Sequence, residues 1–136
     1  MLSKILDQDI QDFINANLNK DISKIAFQKN PFPEVDFAVI LNQIAAKSKS
    51  EHKLSTWFST EKIIYPSKIS VEQTSSEKTA LYKSKIISGE SLIDLTGGFG
   101  VDDFYFSKKF KSVVHCEMNY ELSDVVNHNF QQLKAE

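Results

Sequence analysis

The chain has 136 residues, 41% of them apolar, enough for one packed domain or for a small domain joined to part of another. Its 16 basic residues are all lysine against 18 acidic ones, and a net charge of −2 gives no overall reason to expect nucleic acid or a membrane surface as partner. A single cysteine, Cys116, excludes an intrachain disulfide, and no apolar run reaches the roughly 20 residues of a bilayer span.

The first 18 residues are amphipathic and carry acids, so they fit neither a secretory signal nor a transit peptide, and the cytoplasm is the expected compartment. Leu2, Leu6, Ile10, Phe13, Ile14 and Leu18 fall at helical spacing, which predicts one helix near Ser3–Leu18. Ile22, Ile25 and Ala26 suggest a short second helix. Pro33 is placed as the first residue of a third, running to about Ala46, with Ser48–Lys53 as a polar link. Trp57-Phe58 is a small apolar cluster among Lys47, Lys49, Lys53, Lys62 and Lys68. It reads either as the plug between two subdomains or as an aromatic and basic RNA-facing patch. Lysines without arginine would make any such polyanion contact non-specific.

From about Val71 the pattern changes. Thr74-x-x-Glu77 has capping-box spacing for a helix that runs to Ile87 and stops at Gly89, a suitable residue for a left-handed helix end. Ser91–Leu95 reads as a short buried strand, Val101–Phe110 as a helix, Ser112–Glu117 as a second strand, and Tyr120–Leu133 as a last helix. Strand, glycine loop, helix, strand and helix open a parallel α/β sheet, but two strands cannot cover their own faces and edges. The expected fold is therefore α/β. A helical N-terminal domain over 1–68 precedes a truncated Rossmann-like half-domain over 69–136 with two parallel strands. The chain is expected to be a fragment of a longer protein, and to self-associate through its uncovered sheet.

The informative stretch is Asp94-Leu95-Thr96-Gly97-Gly98-Phe99-Gly100-Val101-Asp102. A glycine loop between strand and helix lets backbone approach a ligand. The dinucleotide pattern of three spaced glycines fails, because Asp103 occupies its third position counting from Gly98. Asp94, Asp102 and Asp103 also make the loop acidic, which suits a cation better than a pyrophosphate. Asp102 and Asp103 read first as acids compensating a helix start. Glu117 ends the second strand, one βαβ unit downstream, where an acid can accept from both ribose hydroxyls. Cys116 reads as a core residue, and neighbouring His115 lacks the partners of a metal site, so no metal is expected.

The loop with His115-Cys116-Glu117-Met118-Asn119 resembles motifs I and II of class I S-adenosylmethionine-dependent methyltransferases. With the upstream run Glu72-Gln73-Thr74-Ser75-Ser76-Glu77-Lys78-Thr79-Ala80, it resembles a bacterial group of RNA methyltransferases that carry a helical N-terminal domain and a THUMP-like domain. The resemblance is firm over about 72–129. It implies S-adenosylmethionine as cofactor, with Asp94 and Gly98 on the methionine side, Glu117 on the ribose and Met118 on the adenine. Gln73 and Ser75 would lie across the pocket, and Thr96, Gly97, Gly100 and Asp102 would complete the cofactor-binding set. Thr96 departs from the glycine common at that motif position. The resemblance also implies RNA as the substrate of the whole enzyme, with its catalytic loop after a fourth strand, so this chain alone is not expected to transfer methyl groups. The rival readings are a fragment of an NAD-dependent oxidoreductase, which the acidic loop disfavours, and a non-enzymatic helical interaction module.

Overall fold

A computed structural model describes residues 2–134. Nine helices and two strands occur among them: α1 Leu2–Ile5, α2 Gln8–Ala16, α3 Ile22–Ala26, α4 Phe37–Lys53, α5 Ser55–Ser59, α6 Lys68–Gln73, α7 Glu77–Ile86, β1 Ser91–Asp94, α8 Val101–Phe106, β2 Ser112–His115 and α9 Tyr120–Lys134. The architecture is a mostly helical α/β fold around one parallel strand pair. Its register sets Ser91 opposite Ser112 and Asp94 opposite His115.

The helical part departs from expectation in ways that trace to single polar side chains. The first helix is broken at Leu6-Asp7, and Gln11 donates its amide to the Ile5 carbonyl left at the break, at 2.7 Å. α4 starts at Phe37 rather than Pro33, because the Asp36 carboxylate caps the Ala38 amide at 2.9 Å. It also runs through the expected polar link to Lys53. Ser50 is accommodated inside it, fully buried, by donating its hydroxyl to the Ala46 carbonyl at 2.9 Å. Ser67 caps α6, a helix the apolar spacing did not predict.

In the second part the capping box is absent. Thr74 instead closes α6, and Ser76 caps α7 by accepting from the Thr79 amide at 3.1 Å. Glu77 reaches across to α5 and α8, accepting from the Thr56 amide at 2.6 Å and the Tyr105 hydroxyl at 2.9 Å. Gly89 is not a left-handed helix end; Ile87 takes extended backbone there. A Cβ on Gly89 would stand 3.0 Å from the Phe110 ring, so close packing is what asks for glycine. α8 stops at Phe106, where the Ser107 hydroxyl takes the Phe104 carbonyl at 2.6 Å.

The strands are shorter than expected and only half buried. Ile93, 61% exposed, and Val114, 49% exposed, lie opposite each other on an open face. On the other face Leu92 and Val113 are partly buried. One apolar cluster, including Ile5, Ile14, Ile40 and Ile44, belongs to the N-terminal helices. The larger one joins Trp57, Ile63, Ile64 and Tyr65 to Val71, Phe99, Phe104, Val125 and Val126, drawing from both sides of position 68. Trp57 is fully buried, with ring centroids 5.0 Å from Phe104 and 6.4 Å from Phe99. It is the plug, not a nucleic-acid platform. No helix among the described residues is long and apolar enough to cross a membrane.

Candidate functional site

β1 and β2 end side by side, and the chain turns over their C-terminal edge. One further rung extends the ladder: the Cys116 amide donates to the Asp94 carbonyl and the Gly97 amide to the Cys116 carbonyl, both at 2.8 Å. That rung is why Glu117 sits beside the glycine loop although β2 itself ends at His115.

The loop is shaped at two glycines with left-handed backbone, Gly98 at φ 54° and Gly100 at φ 82°. Gly97 is held by space instead: a Cβ there would stand 2.3 Å from the His115 ring. The His115 Nε2 lies 3.1 Å from the Gly98 carbonyl, a contact that is a hydrogen bond only if Nε2 carries the proton. The imidazole is thus a floor for the loop, fixed from the strand beneath it. Gly100 is buried, and its added Cβ would meet Phe130 at 2.9 Å, so glycine there lets α8 pack on α9.

Two carboxylates border the loop. Asp94 accepts from the Thr96 amide at 2.9 Å and lies 3.5 Å from the Thr96 hydroxyl. Glu117 accepts from the Gly98 amide at 3.1 Å with one oxygen and from the Asn119 amide at 2.8 Å with the other. Each carboxylate oxygen has about two acceptor positions, so both groups keep acceptor capacity for ligand hydrogens. The exposed side chains of Leu95 and Met118 lie next in sequence to these groups, and Met118 is 93% exposed. The loop therefore opens on solvent as a shelf, with polar acceptors and adjacent apolar surface.

Of the remaining sequence-derived residues, Ser75 and Asp102 join a separate network on the flank. Lys83 of α7 reaches Asp102 at 3.1 Å and the Ser75 hydroxyl at 2.9 Å, and that hydroxyl lies 3.3 Å from Asp102. Asp102 is thus occupied by an ion pair that ties the α6–α7 joint to the start of α8. Gln73 ends α6 and is exposed.

Spacing alone did not mark two residues. His115 underlies Gly97. Asp103 is 1% exposed, under the loop, with no hydrogen-bond partner for either carboxyl oxygen among the described residues. Burial, then Asp94 and Asp102 nearby, push its carboxyl up to about 8.

No family model matches the chain, and no curated protein does. One solved structure is similar across it: the crystal structure of a putative methyltransferase from Porphyromonas gingivalis W83, at 30% identity and a TM-score of 0.78. The chain shares that protein's fold over the matched region. The match covers 98% of this chain and 33% of the other, so the chain spans about a third of the length of the protein it matches.

Proposed function

We propose that the chain is the cofactor-binding part of an S-adenosylmethionine-dependent methyltransferase. Asp94 takes the methionine ammonium, Glu117 the ribose hydroxyls, and Met118 packs against the adenine. The observation that carries this is the placement of two carboxylates, Asp94 and Glu117, at the ends of adjacent parallel strands, with Glu117 bonded to the Gly98 amide across the loop.

The donor set fits the group. Negative side chains face an ammonium and a sulfonium, where a pyrophosphate would be repelled. Free acceptor positions on Glu117 suit a pair of vicinal hydroxyls, and exposed Leu95 and Met118 offer apolar surface to a purine. The likeness to a protein named as a methyltransferase supports the same assignment.

When bound, the cofactor supplies an activated methyl group and its own leaving group. The chain's residues bind and orient. Thr96, Gly97, Gly98 and Gly100 set the loop, and Gln73, Ser75 and Asp102 border its flank. RNA is the proposed acceptor, supported by the motif resemblance over 72–129. Ile93 and Val114 support self-association of the chain through the open sheet face, with a second copy as occupant, which sedimentation over a range of concentrations tests.

Calorimetry with S-adenosylhomocysteine and NAD tests the assignment. The first ligand is expected to bind and the second not. Asp94→Ala and Glu117→Ala are each expected to lose about tenfold or more in affinity, the worth of one hydrogen bond to a charged group. Binding of NAD, or alanine variants that match the wild type, would refute it.

A further inference from the structure

Asp103 has a chemistry that the cofactor assignment leaves unused. It follows Asp102 in the first turn of α8, yet the two carboxyls lie in different surroundings. Asp102 is half-buried and paired with Lys83. Asp103 is 1% exposed, and neither of its oxygens meets a donor among the described residues.

Each element around it has one titratable group to consider. From β1 comes Asp94, which the strand register sets opposite His115 and whose carboxyl, after burial, does most to raise that of Asp103. From β2 comes His115, whose Nε2 stands 4.0 Å from the nearer Asp103 oxygen, too far for a hydrogen bond, and 3.1 Å from the Gly98 carbonyl. From its own helix comes Asp102, a like charge. From α7 comes Lys83, which is directed to Asp102.

An ionised carboxylate with neither water nor a donor is among the costliest groups to bury. Two carboxylates within reach of each other cannot hydrogen-bond unless one holds a proton. Asp103 is the one to hold it. Asp94 is less buried and already accepts from Thr96, so it is the better anion.

We propose that Asp103 is a positioning residue, kept as a carboxylic acid, which donates its proton to Asp94 and fixes that carboxylate at the end of β1. The raised pKa of Asp103 agrees with this arrangement. The acid proton ties Asp94 from below while the Thr96 amide ties it from the loop. The pair then carries one negative charge, matched to a single ammonium. That last consequence rests on the cofactor assignment above; the proton itself does not.

Two measurements test it. Carboxyl carbon NMR on the ligand-free chain is expected to show Asp103 titrating near pH 8, well above the ordinary 3.8 of an aspartate. A midpoint near the ordinary value would overturn the inference whatever the chain binds. Calorimetry with S-adenosylhomocysteine then compares two variants. Asp103→Asn, whose amide can still donate to Asp94, is expected to bind within about twofold of wild type, and Asp103→Leu to bind about tenfold more weakly. An asparagine variant as weak as the leucine one would overturn the positioning role. Wild-type protein that binds no S-adenosylhomocysteine would refute the cofactor assignment, while the carboxyl titration would still decide where the proton sits.

Discussion

Asn129 of α9 pairs with both main-chain groups of Ile64. Its Oδ1 accepts from the Ile64 amide at 2.9 Å, and its Nδ2 donates to the Ile64 carbonyl at 2.7 Å. Gln43 of α4 does the same for Tyr65, at 2.9 and 2.8 Å. An extended segment without a strand neighbour is satisfied by two buried amides, one from each part of the chain. This places Trp57 and Tyr65 against Phe99 and so under the glycine loop. Replacing Asn129 by alanine orphans a buried N–H and a buried C=O together. The expected cost is about 2 kcal/mol or more in denaturant unfolding, and a loss under about 0.5 kcal/mol would show that the pairing is not structural.

Gly97 and His115 compete for one space. Gly97→Ala puts a methyl 2.3 Å from the imidazole, so the loop or the ring must move. The variant is expected to lose thermal stability and affinity for S-adenosylhomocysteine. His115→Ala in the same background is expected to restore part of the stability, a favourable coupling in a double-mutant cycle. Additive losses would mean that the two side chains do not meet.

The carboxyl of Asp103 also sets a pH dependence. Its pKa is raised from 3.8 to about 8, so the stability it contributes is fully present below 3.8 and is lost as pH rises through 8. Asp103→Asn carries no proton to give up. Its stability relative to wild type is therefore expected to improve steadily across that window and to level off above it, as urea unfolding at several pH values would show. Parallel curves would mean that Asp103 titrates alike in both states.

Much of this was legible in the sequence, and the exceptions share a cause. Apolar spacing located the helices near Ile10, Ile40 and Val125, and the glycine loop between two short strands emerged where Asp94, Gly98 and Glu117 indicated. Spacing could not fix helix ends that depend on one polar side chain. Asp36 caps α4 in place of a start at Pro33, Ser76 caps α7 in place of the Thr74 box, and Ser67 caps a helix that the spacing did not predict. The strands read as buried because their residues are apolar, but burial depends on neighbours, and Ile93 and Val114 lack them on one face. Asp102 and Asp103 looked alike as first-turn acids; only the tertiary fold gives Lys83 to one and shelters the other.

The most direct test is to follow the backbone amides of the chain by NMR while S-adenosylhomocysteine is added to millimolar concentration, which also detects weak binding. Glu117 holds the Gly98 and Asn119 amides, so a ribose arriving at that carboxylate must disturb both. Shifts centred on Gly98 and Asn119 and extending to Thr96 are expected, with none from NAD. Unmoved signals at Gly98 and Asn119, or equal shifts from NAD, would contradict a sulfonium-cofactor site between Asp94 and Glu117.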